Sequence, residues 1–222
     1  MNYIIYDLEF TVLRTQQYLS EIIEIGAIKV QEIEDQLVMG DLFHSYVSPS
    51  RNRVLSPLTT EFTGITQDKI NQAPTFPHAI RDFITWLGEE DYYLCSWGLD
   101  DKLQFIKHSR EHGVDLHWIR NTNDIQHQFS LKHAKNGFHQ VGLKKALDLL
   151  EINFVGTPHN ALDDAFNTAK VFKRIFPQLQ LNKNDAADEQ VYATKVVYQT
   201  DQEEANYPFR QLDQLLRDLS IG

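Results

Sequence analysis

Alternating apolar and polar residues within the first fifty positions predict three β-strands. Each predicted strand is rich in β-branched and aromatic residues, and the three are YIIYDLEF (3–10), EIIEIGAIKV (21–30) and LFHSYVSP (42–49). The turn-prone RTQQYLS (14–20) and the acidic QEIEDQ (31–36) separate them. Three successive strands of this kind most simply form an antiparallel meander.

From residue 55 onward the spacing of apolar residues changes to the period of a helix, interrupted by one further strand. The segment 55–76 predicts short helical turns and loops, and the charge-free YYLCSW (92–97) predicts a buried strand. Longer helices are predicted for PHAIRDFITWLG (77–88), LDDKLQFIKHSREHG (99–113), GLKKALDLLEI (142–152) and NALDDAFNTAKVFKRIF (160–176). Strands followed by alternating strands and helices indicate an α/β fold with a mixed sheet and helices on its faces.

The pattern changes again after Pro177, so we predict a domain over residues 1–177 and a C-terminal extension over 178–222. Within the extension, VYATKVVYQT (191–200) is a strand candidate, and a final amphipathic helix carries its apolar residues on one face. These apolar residues are Phe209, Leu212, Leu215, Leu216 and Leu219. Packing of this helix on the domain's own core is favoured over the binding of a partner protein.

Composition and charge narrow the functional classes. The 222 residues carry a formal charge of -10, whereas a protein that grips long duplex needs a basic surface to release counterions from phosphates. No apolar run reaches the roughly 20 residues that span a bilayer, and Asp7 interrupts the N-terminal apolar run too early for a signal peptide. Cys95 is the only cysteine, which excludes an intrachain disulfide and a cysteine-rich zinc site. We therefore expect a cytoplasmic protein with no membrane partner.

Two acidic residues stand in the first predicted strand. Side chains alternate along a strand, so Asp7 and Glu9 project from one face while Tyr6, Leu8 and Phe10 project from the other. Two neighbouring carboxylates repel each other and need water, a cationic partner or a metal ion. Taken alone, the pair is equally compatible with an acidic strand end that faces solvent.

A histidine and two aspartates stand at the start of the helix predicted over 160–176. The helical column through Asp163 continues with polar residues and predicts a solvated side chain. The column through Asp164 contains small residues, which would let this aspartate lie close to the sheet. The helix dipole discourages protonation of His159, so this residue is a candidate base, although a loop histidine before a helix needs no function.

A third group of acids follows the buried strand 92–97, where Asp100 and Asp101 begin a predicted helix. Aspartate is common at helix starts, because its side chain satisfies free backbone N–H groups. Capping therefore explains this pair as well as a chemical role does.

Together, the three groups form an ordered set that resembles the DEDDh 3′-5′ exonucleases, which have a ribonuclease H-like fold. The resemblance runs from Tyr3 to about Phe176. The stretches 46–80, SWGLDDKLQF (96–105) and HNALDDAFNTAKVF (159–172) are similar to the Eri-type exoribonuclease branch. This likeness implies a mixed five-stranded sheet, three antiparallel strands and then parallel strands, flanked by helices.

The resemblance assigns four carboxylates and one histidine to a catalytic site, and these are Asp7, Glu9, Asp101, Asp164 and His159. It implies two bound Mg²⁺ or Mn²⁺ ions, with Asp7 bridging them. Glu9 and Asp164 would hold the ion on the side of the nucleophile, and Asp101 would hold the second ion. His159 would take the proton from the attacking water.

The sequence departs from the family pattern at two positions. Relatives often carry an aromatic residue just before the mid-chain aspartate, where this chain has Asp100, and an arginine is common at the position of Asn160. The resemblance therefore implies neither base stacking at the first position nor a phosphate contact at the second. A shift of one residue would make Asp100 the ligand, but the frame of Gln104 and Phe105 favours Asp101.

The residues after Glu9 suggest how a substrate end is bound. Thr11 matches a threonine of the family and is expected to place its hydroxyl or backbone N–H near a terminal 3′-OH. Phe10 either packs on the last sugar or base or belongs to the core, as strand alternation predicts. A core position is favoured for Trp97.

The leading hypothesis is a metal-dependent 3′-to-5′ exonuclease that acts on the 3′ end of single-stranded RNA or of an RNA overhang and releases nucleoside 5′-monophosphates. The expected partner is the 3′ end of single-stranded RNA, or DNA. Because DLEFT (7–11) also resembles the oligoribonuclease pattern, an oligoribonuclease or a DNA-trimming exonuclease is the alternative. Two further alternatives are a nucleic-acid-binding protein that retains the fold and a structural metal site. The sequence predicts neither the physiological substrate nor the oligomeric state.

Overall fold

A mixed sheet of five strands organises the chain, which the computed structural model describes over residues 1–13, 20–133 and 139–188. The strands are β1 (Asn2–Phe10), β2 (Ile22–Ile33), β3 (Gln36–Tyr46), β4 (Tyr92–Ser96) and β5 (Thr122–Asp124). Their order across the sheet is β3-β2-β1-β4-β5. β2 is antiparallel to β1 and β3, whereas β4 is parallel to β1 and β5. The predicted arrangement of antiparallel strands followed by parallel strands is confirmed.

Helices cover both faces of the sheet. The α-helices of the described ranges are α1 (Pro57–Thr63), α2 (Gln67–Asn71), α3 (Phe76–Leu87), α4 (Asp100–Glu111), α5 (Ile125–His133), α6 (Leu143–Leu149) and α7 (Ala161–Ile175). A short 3-10 helix, Phe176–Gln178, follows α7. None of the helices in the described part of the chain is long and apolar enough to cross a membrane.

The central strand β1 is buried on both faces, because alternate residues enter two different cores. Tyr6 packs in the first core, where its ring centroid lies 5.2 Å from that of Phe105 on α4. Tyr3 and Ile5 pack in the second core, in which the ring centroids of Tyr3 and Phe172 on α7 are 5.3 Å apart. The C-terminal end of β1 therefore lies between two layers of helices.

The hairpin that joins β2 to β3 is tighter than predicted. Both strands extend into the segment 31–36, and Ile33 pairs directly with Gln36. Glu34 and Asp35 form the two-residue turn with φ values of 50° and 60°. Positive φ at both positions is the geometry whose twist fits a two-residue hairpin. The segment was predicted as a separator because it lacks the Asn-Gly or Asp-Gly pair that usually marks such a turn.

The buried strand predicted for residues 92–97 is confirmed as β4. Cys95 is fully buried there as a free thiol, and burial raises the pKa of that thiol above its usual range. Trp97, directly after the strand, lies with its ring centroid 5.6 Å from that of Phe129 and donates a hydrogen bond to the Val141 carbonyl at 3.2 Å. The core position predicted for Trp97 is therefore confirmed.

The positions of two elements were not predicted, although the resemblance implied a fifth strand. One predicted region lies partly outside the described residues. β5 consists of Thr122, Asn123 and Asp124, whose polar side chains give no alternating signal, and α5 follows it without a break. Beyond Pro177, Ala186 is fully buried in the first core, so residues 178–188 pack on the domain. The strand predicted over 191–200 and the final helix lie outside the described residues.

Candidate active site

The second half of β1 brings Asp7 and Glu9 to the face of the sheet that α7 covers. Alternation along the strand places both acids on the side of Ile5, which belongs to the core beneath α7. Asp7 is half-buried, and Glu9 is only 7% exposed. On the neighbouring strand, Gly26 lies opposite Asp7 and Glu24 lies opposite Glu9. The pair therefore does not stand on a solvent-facing strand end.

A glycine lets the start of α7 approach these acids closely. A Cβ added to Gly26 would lie 2.2 Å from the carbonyl carbon of Ala161 and 2.2 Å from the backbone nitrogen of Leu162. Any side chain at this position would displace the helix. Asn160 begins the helix, because its side-chain oxygen accepts the N–H of Asp163 at 3.1 Å.

His159 and Asp164 join Glu9 in one group at this helix start. Each of the three offers a ligand atom, and these atoms all lie within 4.8 Å of one another. His159 has a left-handed backbone with φ of 62°, which few residues other than glycine adopt. Its backbone N–H donates to Oδ2 of Asp164 at 2.8 Å, which holds the turn in place. The exposed imidazole packs against Phe62 of α1, with ring centroids 4.1 Å apart.

The two candidate aspartates of α4 point in different directions. Asp101 is 7% exposed, and its carboxylate accepts the backbone N–H of Leu8, the residue between Asp7 and Glu9. Asp100 is exposed. The orientation of the helix therefore favours Asp101 as the acid that faces β1, in agreement with the motif frame.

Asp7 and Asp101 both have a raised pKa, and the charge of Asp101 contributes to the shift of Asp7. The pKa of Asp7 is raised well above its usual range, first by burial and then by the charges of Asp101 and Asp164. The pKa of Asp101 is also raised well above its usual range by burial and by Asp100, although the hydrogen bond from Leu8 opposes the shift. Both carboxylates therefore lie close to other negatively charged groups, which disfavour their ionised forms.

Glu9 and Asp164 belong to the same group of acids. Burial raises the pKa of Glu9 to about 8, and the charges of Asp164 and Glu24 add to the shift. Burial raises the pKa of Asp164 to about 6, although the contact with His159 opposes it. Acids that disfavour one another's charge are stabilised by hard divalent cations, which prefer carboxylate oxygens as ligands. The donor set therefore fits the Mg²⁺ or Mn²⁺ ions that the resemblance implies.

Asp163 is less exposed to solvent than the prediction expected. It is half-buried, and its Oδ2 accepts the N–H of Thr157 at 2.8 Å. Asn167, the next residue of the same helical column, is fully buried and hydrogen-bonds both the N–H and the carbonyl of Val155 at 3.0 and 2.7 Å. The prediction was wrong because the polar side chains of Asp163 and Asn167, on one face of α7, bind the loop before the helix instead of facing solvent. Asp164 remains the acid that faces Glu9.

Sequence reasoning missed Glu24. This residue is fully buried, and its carboxylate accepts the side-chain N–H of Asn160 and the backbone N–H of Ala161, both at 3.1 Å. A signal was present, because a period of two places Glu24 on the face of β2 that also carries Gly26 and Ile28. An acid on such an inner face needs a partner.

The two candidate substrate-binding residues have structural contacts. The Thr11 backbone N–H donates to the Glu21 carbonyl at 2.9 Å, and the Thr11 hydroxyl accepts the Glu21 N–H at 2.9 Å. The backbone N–H of Thr11 is therefore already bound, whereas its hydroxyl still has a proton to donate. The half-buried ring of Phe10 packs against the first core, which favours the core interpretation.

Comparison with known families and proteins gives consistent matches. The exonuclease (RNase T) family model matches residues 4–172. Mouse 3'-5' exoribonuclease 1 is 26% identical over 185 residues, a match that covers 75% of this chain and 51% of the relative. The probable 3'-5' exonuclease KapD of Bacillus subtilis is 28% identical over 179 residues, covering 78% of this chain and 83% of the relative.

A solved structure is similar over most of the domain. The nuclease domain of 3'hExo, a DEDDh family member bound to rAMP, is 27% identical with a TM-score of 0.70. The match covers 82% of this chain and 96% of that domain. This chain spans about half the length of the mouse, rat and human exoribonucleases that it matches, at 51%, 51% and 50%.

Proposed function

We propose that this chain, which belongs to the exonuclease family, is a metal-dependent 3′-to-5′ exonuclease. The observation that carries the proposal is the group of Glu9, His159 and Asp164, with ligand atoms within 4.8 Å of one another. Asp101 lies close enough for its charge to raise the pKa of both Asp7 and Glu9. Acids and a base in this arrangement are suited to the hydrolysis of phosphodiester bonds.

Single-stranded RNA, or an RNA overhang, is the proposed substrate, and nucleoside 5′-monophosphates are the proposed products. Support comes from the mouse relative, which is named a 3'-5' exoribonuclease, and from the similar nuclease domain, which was solved with rAMP. The formal charge of -10 favours recognition of one or two terminal nucleotides over a long basic groove. The cytoplasmic location stays a prediction from the sequence alone.

Asp7, Glu9, Asp101 and Asp164 are the residues that would hold two Mg²⁺ or Mn²⁺ ions. When bound, such ions supply positive charge that activates water and stabilises the leaving oxygen. The protein's own contribution is to hold these acids together in a partly buried group. The hydrogen bond from Leu8 fixes Asp101, and that from His159 fixes Asp164.

His159 is the proposed general base. Its ring nitrogen lies within 4.8 Å of carboxylate oxygens of Glu9 and Asp164, so a water between the acids is within reach of the imidazole. The imidazole is exposed, and a proton that it accepts can pass to solvent. Phe62 packs against the ring and restricts its orientation.

The contact to the terminal 3′-OH is proposed for the Thr11 hydroxyl alone. The backbone N–H of Thr11 is already bound to the Glu21 carbonyl at 2.9 Å. A role of Phe10 at the last nucleotide is the weaker part of the proposal, because its ring packs against the core.

The proposal is tested with 5′-labelled single-stranded RNA and DNA, incubated with Mg²⁺ or Mn²⁺ and either the wild type or Asp7→Ala. We expect a ladder that shortens from the 3′ end with the wild type and no ladder with the variant. The RNA-to-DNA rate ratio gives the preference, and the dependence on oligomer length separates an oligoribonuclease from an enzyme of long strands. Chelation of metal should stop cleavage by the wild type.

Three outcomes contradict the proposal. Equal ladders from both proteins would mean that the activity comes from a contaminant or another site. Binding of RNA without metal-stimulated cleavage would support a nucleic-acid-binding protein on this fold. A melting temperature that falls on chelation, with no cleavage under any condition, would support a structural metal site.

A further inference from the structure

Glu24 and Glu9 lie opposite each other on neighbouring strands but have different surroundings. Paired residues of antiparallel strands share one face, with Cβ atoms about 4.5–5.5 Å apart, and like charges there are unfavourable. Glu24 is fully buried, and its register partner Glu9 is 7% exposed. A second carboxylate this close to the proposed metal ligands needs an explanation.

Both carboxylate oxygens of Glu24 lie within hydrogen-bond distance of N–H groups. Oε1 lies 2.6 Å from Nε2 of His44 and accepts the side-chain N–H of Asn160 at 3.1 Å. Oε2 accepts the backbone N–H of Ala161, the first residue of α7, at 3.1 Å. A carboxylate at a helix N-terminus also interacts favourably with the helix dipole. The hydrogen bonds of Glu24 are therefore used to hold the start of α7.

We infer that Glu24 is a positioning residue: it fixes the start of α7 on β2 and so sets the distance from Asp164 and His159 to Glu9. The inference rests on the proposed function and extends it. Asp164 lies in the first turn of α7 and His159 directly before the helix, so a displacement of this helix start moves both. The oxygens of Glu24 face three donors, so we assign this residue to holding the helix and not to the group of metal ligands.

Asn160 gains a defined role from the same contacts. Its side-chain oxygen accepts the N–H of Asp163, and its side-chain nitrogen donates to Glu24. One amide therefore begins α7 and ties it to β2. This dual contact accounts for an asparagine at a position where relatives often have arginine.

The chain offers a matched control in Glu21. This residue stands three positions before Glu24 in the sequence and is 2% exposed. Its carboxylate accepts hydrogen bonds from Ser50, Arg51 and Asn52 at 2.7–3.1 Å. Its side chain holds a loop and makes none of these bonds with α7. Glu21→Gln and Glu24→Gln each replace a buried acceptor by an amide that faces donors, so both should lower the melting temperature.

The test measures cleavage of single-stranded RNA and binding of Mn²⁺ by electron paramagnetic resonance for the wild type and both variants. For Glu24→Gln we expect kcat to fall by roughly 10- to 100-fold and Mn²⁺ affinity to fall by about 10-fold, with KM within about twofold. Glu21→Gln should stay within about twofold of the wild type in all three quantities. Backbone amide hydrogen exchange at residues 161–164 should become faster in Glu24→Gln but not in Glu21→Gln.

Two results would overturn the inference: a Glu24→Gln protein with wild-type kcat and Mn²⁺ affinity, or equal losses in Glu21→Gln. If Glu24→Gln does not fold, Asn160→Ser replaces it, because serine keeps the helix cap but removes the donor to Glu24. An Asn160→Ser protein with unchanged kcat, Mn²⁺ affinity and amide exchange would equally overturn it. Should the wild type cleave neither RNA nor DNA, the proposed function fails, whereas Mn²⁺ binding and amide exchange still decide the role of Glu24.

Discussion

Two buried glutamates near the end of β1 show opposite electrostatic behaviour. Burial alone would raise the pKa of Glu21, but hydrogen bonds from Ser50, Arg51 and Asn52 outweigh it and leave that pKa below its usual value. Glu9 is buried to a similar degree, yet its pKa rises to about 8, because burial is joined by the charges of Asp164 and neighbouring acids.

The comparison teaches that burial by itself does not mark a functional acid. Glu21 is surrounded by N–H donors, which stabilise its negative charge and give it a structural role. Glu9 is surrounded by other acids, so its negative charge calls for a cation. What surrounds each carboxylate, in addition to its depth, separates the loop anchor from the candidate metal ligand.

The largest effect is expected at α4, where the same comparison applies to two adjacent aspartates. Asp101 is buried beside β1 and should behave as Glu9 does, so Asp101→Asn should lower kcat by about 100-fold or more. Asp100 is exposed, and Asp100→Asn should leave kcat within about twofold. Steady-state cleavage of labelled RNA by both variants measures the difference. Similar losses in the two variants would remove the distinction between the two aspartates.

A smaller loss is expected when α7 is moved without any change of charge. In Gly26→Ala the added Cβ would lie 2.2 Å from the backbone of Ala161, so the helix start must shift. A displacement of about 1 Å can lower the rate by roughly 100-fold, and we expect a loss of about 10- to 100-fold in kcat. Gly40→Ala is the control, because its Cβ would meet nothing closer than 3.5 Å. Equal activities of these two alanine variants would contradict the tight approach of α7.

Sequence patterns indicated where the acids of the candidate site lie better than they indicated which residues hold those acids in place. Strand alternation placed Asp7 and Glu9 on one face, and helix columns with the motif frame selected Asp164. The family match and the DEDDh nuclease domain confirm the predicted resemblance and ribonuclease H-like fold. Glu24 escaped prediction because its donors come from residues 44, 160 and 161, which are distant in the sequence.

Other errors have the same origin in tertiary contacts. Asp163 was expected in solvent because its helical column is polar, but that column binds the loop before α7 through Asn167. The position of β5 was not predicted because its three polar residues pair with β4 through backbone atoms, which carry no sequence signal. Periodicity indicates which way a side chain points, whereas its partner depends on the whole fold.

A third prediction concerns stability at Glu21. Glu21→Gln leaves an amide among N–H donors and should lower the free energy of unfolding by about 1–3 kcal/mol. Urea denaturation measures this loss, and the same preparation should cleave RNA at close to the wild-type rate. A fall in kcat that exceeds the loss of folded protein would mean that this loop anchor also acts on the site.

The smallest effect is the pH dependence of stability in the metal-free protein. Glu9 titrates at about 8 in the folded state against 4.5 when unfolded, so the folded state binds more protons and its stability falls as pH rises. His108, with a folded pKa of about 4 against 6.5, has the opposite effect below pH 6.5. Between pH 6.5 and 8 we therefore expect Glu9 alone to contribute a loss of about 1–2 kcal/mol. Asp7 and Asp101, whose pKa values are also raised, act in the same direction.

Calorimetry in a chelating buffer measures this decline. Added Mg²⁺ should reduce it, because a bound cation favours ionised carboxylates. Glu9→Gln should flatten the metal-free profile over the same range. A melting temperature that rises from pH 6.5 to 8 without metal would contradict the mutual repulsion of the carboxylates at the candidate site.

The position of Cys95 makes the protein convenient for spectroscopic labelling. Its thiol is fully buried in β4 and is the only one in the sequence, so maleimide reagents should leave the native wild type unmodified. A single cysteine in place of Leu131, which is 58% exposed on α5, would then carry one fluorophore or spin label per molecule. Such a label would be attached without any change to the acids or to the helix that carries His159 and Asp164.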